Sequence, residues 1–292
     1  MFEGTVLKGY SGFYYVKYNQ QIYECSLRGK NRIKKIKFLP GDKVTFEPIS
    51  QEKGVIEDLL PRKNELIRPP IANVEQVIIV SSLVNPEPDL WLLDRLTILA
   101  LWNDIKPILC LNKADLSSQE KIANLKKIYE QAKFKVLVTS AKKNLGIDDL
   151  KGVLKDQISV VAGASGVGKS SILNAIQPDL RLQIGEVSLK LKRGKHTTRH
   201  VELIPLHFGG LVADTPGFSS LNLPEDIMRE QLSFLFPDFD QYRNNCKFST
   251  CLHKEEPECS VREAVQKGEL AQNRYNNYLA FLEEVIKQER SY

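Results

Sequence analysis

The sequence contains no apolar run that approaches the ~20 residues needed to cross a bilayer. Its start, Met1-Phe2-Glu3-Gly4, has neither the basic residues nor the apolar stretch of a secretion signal. The cysteines number five, and an odd count without a signal argues against a disulfide framework. Together these absences predict a soluble cytoplasmic protein with no membrane partner.

The first 65 residues predict a small β-barrel. Short runs of β-branched and aromatic residues alternate with Gly, Asn and Pro, which is typical of strands joined by turns. The candidate strands are Phe2 to Lys8, Gly12 to Tyr18, Gln21 to Leu27, Lys43 to Pro48 and Val55 to Leu60. This pattern favours a five-stranded barrel of the oligonucleotide-binding (OB) type, and a small barrel with a structural role is the alternative.

Beyond a proline-bearing linker at residues 61–70, strand and helix patterns alternate, as in a parallel sheet covered by helices on both sides. The predicted strands are Val77 to Val80, Pro107 to Leu111, Val136 to Val138 and Ile158 to Ala162. The predicted helices are Leu90 to Trp102, 118–132, Ile147 to Leu154, Pro224 to Phe236 and two helices within 260–289. We therefore expect an α/β domain followed by a helical module.

Residues Gly163 to Ser170 fit the pattern of a phosphate-binding loop, which is Gly, four residues, then Gly-Lys-Ser/Thr. Glycines let the backbone wrap around phosphates, and the backbone N–H groups with the following helix N-terminus form an anion nest. We expect Lys169 to reach the β- and γ-phosphates and the Ser170 hydroxyl to bind Mg²⁺. The other nucleotide contacts predicted here are Gly163, Ala164, Ser165, Gly166, Val167, Gly168 and Ser171.

The segment Asn112-Lys113-Ala114-Asp115 follows a predicted strand and indicates guanine recognition. The Asp115 carboxylate can accept hydrogen bonds from guanine N1–H and the exocyclic amine, a donor pair that adenine lacks. The Lys113 side chain can pack over the base. Thr139-Ser140-Ala141, at the next strand end, suits a contact to guanine O6.

These motifs occur in a rotated order. GTPases ordinarily have the phosphate loop first and the guanine motif last, whereas here the guanine motif comes first. Asp214-Thr215-Pro216-Gly217 follows an apolar run, so Asp214 can hold Mg²⁺ and the Gly217 N–H can contact the γ-phosphate; a plain turn is the alternative. Between these motifs, Thr198 is predicted to complete the Mg²⁺ shell, with Thr197 as the second choice.

Four candidate metal ligands cluster near the C-terminus, namely Cys246, Cys251, His253 and Cys259. Three thiolates and an imidazole make a closed tetrahedral zinc site with no open position for water, so we predict one structural zinc ion. Scattered free cysteines are the alternative. Cys25 and Cys110 lie in strand-like runs and are predicted to be ordinary buried thiols.

The combination resembles the family of ribosome small subunit-dependent GTPase A (RsgA), which is circularly permuted. The resemblance covers nearly the whole chain and implies an OB-type barrel (1–65), a permuted P-loop GTPase domain (66–224) and a helical zinc module (225–292). It implies GTP hydrolysis and binding to the small ribosomal subunit and its rRNA late in maturation. We expect a monomer that does not bind DNA.

Many GTPases have a glutamine after the Asp-x-x-Gly motif to orient the attacking water, but this chain has Phe218. His196 is the candidate replacement, because the family uses a switch histidine at this position; a phosphate-contacting or solvated histidine is the alternative. Gly166 stands where some permuted GTPases have a potassium-binding asparagine, so potassium dependence stays open. We therefore hypothesise that the intrinsic GTP turnover is slow and that the ribosomal particle stimulates it.

Two acid-free basic runs favour an RNA-phosphate partner over two solvated loops. One lies between the third and fourth predicted strands and the other before Asp214. Their members are Arg28, Lys30, Arg32, Lys34, Lys35 and Lys37, and Lys190, Lys192, Arg193, Lys195, His196, Arg199 and His200. A nucleotide-gated RNA-binding module with incidental hydrolysis is the main alternative function. An RNA chaperone with a degenerate nucleotide site is disfavoured, because the nucleotide motifs are intact.

Overall fold

The computed structural model describes residues 1–29, 37–67, 69–180, 201–216 and 221–290. Residues 214–216 are described by their backbone alone. The predicted residues His196, Thr198 and Gly217 lie outside these ranges, as do the second basic run and most of the first. Within the described ranges, the helices are all too short or too polar to cross a membrane.

The N-terminal strands close into a barrel with the order β1-β2-β3-β5-β4. Their bounds are Phe2–Tyr10 (β1), Phe13–Tyr18 (β2), Gln21–Leu27 (β3), Lys43–Pro48 (β4) and Lys53–Leu59 (β5). Side chains fully buried inside the barrel include Val6, Val16, Val44, Phe46 and Ile56. β3 and β5 pair in parallel and the other neighbours pair antiparallel. The predicted five-stranded barrel is therefore confirmed.

The predicted linker at residues 61–70 is more ordered than its composition suggests. Two short strands, β6 (Glu65–Ile67) and β7 (Pro70–Ala72), form a small antiparallel sheet there. Arg62 donates to both oxygens of the Asp42 carboxylate at 2.7 and 2.8 Å, and Asp42 is fully buried in the barrel. This buried ion pair fixes the barrel to the chain that leads into the second domain.

The central sheet has six strands in the order β10-β9-β8-β11-β13-β12, all parallel except β12. Its strands are β8 (Gln76–Ser82), β9 (Lys106–Asn112), β10 (Lys135–Val138), β11 (Ile158–Ala162), β12 (Leu203–Pro205) and β13 (Leu211–Pro216). The connecting helices are α1 (Leu90–Trp102), α2 (Gln119–Gln131), α3 (Ile147–Leu154) and α4 (Lys169–Ile176). The predicted α/β architecture is confirmed.

Helices cover both faces of this sheet, because successive side chains of its strands point in opposite directions. Val77 and Ile79 of β8 join the core that contains Leu96 of α1. Ile78 and Val80 join the opposite core, which α3 and α4 also line. The strands are parallel, so the carboxyl ends of β8, β9, β10 and β11 meet at one edge, where ligands bind in such sheets.

The C-terminal region is a separate helical core. Its helices are α5 (Arg229–Leu232), α6 (Asp240–Arg243), α7 (Ser260–Gln266) and α8 (Gln272–Glu289). The predicted pair within 260–289 is confirmed. The prediction of a continuous helix over Pro224 to Phe236 is wrong, since only α5 and a following 3₁₀ turn are helical there. The chain instead turns at Pro224, which lets Leu223 and Ile227 enter the C-terminal core.

A buried ion-pair network joins this core to α1. Arg274 of α8 is 1% exposed and donates to both oxygens of Asp238 at 2.9 Å. It also donates to Asp94 of α1, which accepts a further hydrogen bond from Asn277 at 2.7 Å. Removing one partner of a buried pair typically costs ~3–5 kcal/mol. The network therefore holds the C-terminal core firmly against the central domain.

Candidate functional site

The phosphate loop connects β11 to α4 and is packed closely against the neighbouring strands. Gly163 has φ +134°, and a Cβ there would lie 2.1 Å from the carbonyl oxygen of Val80. Gly168 has φ +99°, and a Cβ there would lie 2.3 Å from Nδ2 of Asn112. Both positions need glycine because side chains are disfavoured at these angles and would clash. The loop can thus approach a phosphate closely.

Lys169 begins α4 and keeps its ammonium group within the loop. Its Nζ donates to the carbonyl oxygens of Gly163 at 2.9 Å and Ala164 at 2.6 Å. Partial burial lowers the pKa of Lys169, because desolvation disfavours the charged form. The carbonyl oxygens that accept from Lys169 are neutral. An anion bound in this loop would give the ammonium group a partner of opposite charge.

The side chain of Asn112 joins three separate segments at the sheet edge. It is 2% exposed, and its Nδ2 donates to the carbonyl oxygen of Val167 at 3.0 Å. Its Oδ1 accepts from the N–H of Ala141 at 3.2 Å and from the hydroxyl of Thr139 at 3.3 Å. One amide therefore connects the guanine motif, the phosphate loop and the segment after β10, as a shared nucleotide site requires.

Lys113 lies across the same site. It adopts φ +63°, and its Nζ donates to the carbonyl oxygen of Gly166 at 2.8 Å and to that of Asn85. Asn85, which follows β8, is a further candidate residue of the site that the sequence motifs do not indicate. The dipeptide Asn85-Pro86 predicts a turn. A local pattern cannot show that Lys113, 28 residues later, donates to the carbonyl oxygen of Asn85.

Ser140 contacts the carboxylate of Asp115, the residue predicted to recognise guanine. The Ser140 side chain is fully buried, and its Oγ donates to Oδ1 of Asp115 at 2.5 Å. Asp115 itself is exposed. A bound adenine would cover the Asp115 carboxylate without donating hydrogen bonds to it. The carboxylate would lose its water and gain no partner, and this free-energy cost would disfavour adenine relative to guanine.

Of the three residues predicted to bind Mg²⁺, the structure describes Ser170 and the backbone of Asp214, and both lie near the same edge. Ser170 lies in the first turn of α4 and is 7% exposed. β13 pairs in parallel with β11, so the backbone of Asp214 lies beside the strand that leads into the phosphate loop. Oxygen donors suit Mg²⁺. All the predicted nucleotide and Mg²⁺ contacts, including those of Ala164, Ser165, Val167 and Ser171, remain predictions.

The predicted zinc ligands come together in space. The ligand atoms of Cys246, Cys251, His253 and Cys259 all lie within 4.8 Å of one another. The sulfurs of Cys246 and Cys259 are 3.9 Å apart, and Nδ1 of His253 lies 3.5 and 3.4 Å from them. Zn–S bonds of ~2.3 Å in a tetrahedron separate two sulfurs by ~3.8 Å. The cluster therefore fits a tetrahedral zinc ion.

The loop that carries these ligands is supported from α8. The hydroxyls of Tyr275 and Tyr278 donate to the carbonyl oxygens of His253 and Leu252, each at 2.7 Å. The Glu256 carboxylate accepts from the N–H of Leu252 at 2.8 Å. Burial lowers the pKa of His253 to about 4, which keeps the imidazole in the neutral form that binds metals.

The two other cysteines are ordinary core thiols, as predicted. Cys25 and Cys110 are fully buried in the barrel and in the central sheet. Burial raises the pKa of Cys25 to about 12 and that of Cys110 to about 11. Both thiols therefore remain protonated and unreactive near neutral pH.

Arg28 and Lys37 are the members of the first basic run that the structure describes, and Arg28 forms an ion pair within the barrel. Arg28 pairs with Glu57 at 2.5 Å, and the Glu57 side chain is only 4% exposed. Lys37, at the other end of the run, is exposed. Both described ends are thus exposed, the Arg28 side chain at 56%, and they differ in that Arg28 has an ion-pair partner in the barrel.

The chain matches two protein-family models, one over the central domain and one over the barrel. A family model described as RsgA GTPase matches residues 59–224, and one described as RsgA N-terminal domain matches residues 3–56. The chain belongs to the RsgA GTPase family. It is accordingly an enzyme that binds guanine nucleotide and hydrolyses GTP, and the resemblance expected from its motifs is confirmed.

Similar proteins span the same length. The chain is 52% identical to the small ribosomal subunit biogenesis GTPase RsgA of Moorella thermoacetica over 99% of each chain. It is 39% identical to YjeQ from Thermotoga maritima, whose crystal structure matches 97% of this chain and 98% of its own with a TM-score of 0.84. YloQ, described as a circularly permuted GTPase, matches 99% of this chain and 96% of its own at 41% identity and a TM-score of 0.84. The rotated arrangement of this RsgA-family chain is thus confirmed.

Gly168→Ala is expected to weaken guanine-nucleotide binding at least about tenfold. A non-glycine residue at this positive φ costs ~1–2 kcal/mol, and the added Cβ would also displace the Asn112 amide. Calorimetry with GDP measures the loss. Gly152→Ala is the matched control, because a Cβ at Gly152 in α3 would meet nothing within 4 Å. Equal GDP affinity in both variants would contradict the assigned role of Gly168.

Proposed function

We propose that this chain hydrolyses GTP while bound to the small ribosomal subunit, late in the maturation of that subunit, and that the subunit stimulates turnover. The Asn112 amide carries the nucleotide part of the proposal, because it connects the base-recognition segments with the phosphate loop. Its relatives are named small ribosomal subunit biogenesis GTPases, and this supports the ribosomal part.

In this proposal the nucleotide lies along the edge formed by the strand ends. Asp115 binds the guanine base, with Ser140 orienting its carboxylate. Lys169 neutralises the β- and γ-phosphate charge, while the N–H groups of the loop donate to phosphate oxygens. The N–H of Gly217 contacts the γ-phosphate.

Mg²⁺ would be held by Ser170, Thr198 and Asp214, whose oxygen donors suit it. The ion would neutralise charge that develops on the β- and γ-phosphate oxygens. Ser170 is in the first turn of α4 directly after Lys169, so both residues lie at the end of the helix that follows the proposed phosphate loop. Thr198 would bind only when the γ-phosphate is present, which makes its segment sensitive to nucleotide state.

His196 is the proposed group that orients the attacking water. Phe218, at the position where many GTPases have glutamine, has no hydrogen-bonding group in its side chain. An imidazole can accept a proton or hold a water molecule near neutral pH. Ordering of the histidine segment by the ribosomal particle would account for stimulation.

The proposal predicts that purified small subunits raise the GTPase rate of the wild type by ~10³-fold or more, the range seen when a partner completes a GTPase site. His196→Ala is expected to abolish the stimulated rate while leaving GDP affinity unchanged. The measurement is phosphate release with and without subunits, and His200→Ala, in the same segment, is the control. Equal wild-type rates in both conditions would refute stimulation.

A nucleotide-gated RNA-binding module with incidental hydrolysis is the second candidate, and the residue Phe218 favours it. The two functions differ in the variant His196→Ala. If hydrolysis is incidental, this variant should still be released from subunits at the wild-type rate after GTP is added. If hydrolysis drives release, the variant should remain bound.

We also propose that one zinc ion occupies the Cys246, Cys251, His253 and Cys259 cluster in a structural role. The protein would act as a cytoplasmic monomer whose contacts are to rRNA and not to DNA. Each of three domains would have a separate role. Residues 1–65 would contact RNA, residues 66–224 would bind the nucleotide, and residues 225–292 would form the zinc module.

A further inference from the structure

The chain around the predicted zinc ligand His253, residues 252–256, forms a turn that closes around the carboxylate of Glu256. Oε1 of Glu256 accepts from the backbone N–H of Leu252 at 2.8 Å. Oε2 accepts from the N–H of Lys254 at 2.8 Å and from that of Glu255 at 3.1 Å. Both carboxylate oxygens are therefore bonded to the backbone of the turn that carries His253.

The backbone of His253 has a conformation that needs such support. Its φ is +56°, in the left-handed region that residues other than glycine rarely adopt. Unfavourable conformations of this kind persist where the surrounding structure fixes them. The N–H of His253 donates to the sulfur of Cys251. Each of the four successive N–H groups from 252 to 255 thus has a side-chain acceptor, and three of the four use Glu256.

Glu256 is ionised in this position. Burial by itself would raise the pKa of the Glu256 carboxyl, but the backbone hydrogen bonds outweigh burial and hold that pKa below its ordinary value. Hydrogen bonds to a charged acceptor are stronger than those between neutral groups. A glutamine would keep the length of this side chain but has one acceptor oxygen, so its NH₂ group would face an N–H of the turn.

The carbonyl groups of the same turn are held by a different element. The carbonyl oxygens of His253 and Leu252 accept from the hydroxyls of Tyr275 and Tyr278 in α8. Glu256 thus binds the N–H groups of the turn, while α8 binds its carbonyl groups. Loss of the Glu256 carboxylate should therefore loosen the turn without unfolding α8, as long as the metal is bound.

We propose that Glu256 is a positioning residue for the zinc ion, because it fixes the turn that carries the ligand His253. This inference rests on the zinc ion proposed for the cysteine and histidine cluster. Nδ1 of His253 lies 3.5 and 3.4 Å from the sulfurs of Cys246 and Cys259. A turn held in this conformation leaves less conformational freedom to be lost when the metal binds, so the metal binds more tightly.

The test is the zinc affinity of the full chain, measured by competition with a chromophoric chelator. Glu256→Gln is expected to weaken zinc binding about 10- to 100-fold, the usual effect of losing a residue that orients a metal ligand. Hydrogen exchange of the zinc-saturated protein is the second measurement. In Glu256→Gln the amides of residues 252, 254 and 255 should exchange faster, while those of α8 keep the protection of the wild type.

Glu258→Gln is the matched control. It removes the same charge two residues further along, but the Glu258 carboxylate is exposed and pairs with Lys247. Its zinc affinity should equal that of the wild type. Unchanged affinity in Glu256→Gln would overturn the inference. Loss of protection throughout α8 in the zinc-saturated variant would also overturn it, because Glu256 would then stabilise the whole module. Failure of the wild type to bind zinc would instead count against the proposed zinc ion.

Discussion

Asp115→Asn is expected to shift the base preference from guanine to xanthine. In the proposed site the carboxylate would accept from two guanine donors, N1–H and the exocyclic amine, whereas an amide could accept only one of them and would turn its own donor toward the other. Each unsatisfied buried group costs ~1–3 kcal/mol, and 1.4 kcal/mol corresponds to tenfold, so GDP affinity should fall about 100-fold. Xanthine has an oxygen in place of the amine, and the amide can donate to it.

The measurement is competition by GDP and xanthosine diphosphate against a fluorescent nucleotide. Asp148→Asn, at a highly exposed acid of α3, is the control for loss of one negative charge. Ser140→Ala is expected to give a smaller loss, because it removes the hydroxyl that orients Asp115 without removing the acceptor. A variant at Asp115 that still prefers GDP over xanthosine diphosphate would show that the base is recognised elsewhere.

The sequence was sufficient to predict the parts of the fold that depend on local patterns. Four consecutive apolar residues from Val77 to Val80 predict a strand buried on both faces, and alternate residues do enter the two opposite cores. The bounds of α1 and α3 follow from helical periodicity and are confirmed. The cysteine spacing likewise predicts a cluster whose ligand atoms do converge.

Contacts between distant segments could not be predicted in this way. Residues 61–70 are rich in turn formers, yet Arg62 is fixed by Asp42, which is 20 residues away in the sequence. The segment 224–236 has helix-forming residues, but burial of Leu223 and Ile227 in the C-terminal core outweighs local propensity. In both segments tertiary contacts determine the backbone.

Helix α1 is the clearest case of contacts between distant segments, because it belongs to two cores. Leu96 packs in the core of the central sheet, whereas Ile98 packs in the C-terminal core. Periodicity shows that this helix is apolar but not that it belongs to two cores. Its charged residues Asp94 and Arg95, which a local pattern would assign to solvent, are buried because Arg274 and Glu284 of α8 pair with them.

Cys259→Ala is expected to unfold the C-terminal module while leaving the barrel and the nucleotide site folded. Binding of a structural zinc contributes ~10–16 kcal/mol in small zinc modules, about as much as the whole stability of a typical domain, ~5–15 kcal/mol. Cys259 is 3% exposed and belongs to the C-terminal core. The loss should appear as missing zinc and as rapid hydrogen exchange throughout α8, whose tyrosines bond to the zinc loop.

Two further variants separate loss of metal from loss of a buried side chain. Cys25→Ala removes an equally buried thiol from the barrel and should retain one zinc ion and normal exchange in α8. His253→Cys provides a fourth thiolate in place of the imidazole, and a Cys₄ site still binds zinc, so its metal content should be preserved. Protected amides in α8 after the zinc has been removed from the wild type would contradict a structural role, because the helix would then be stable without the ion.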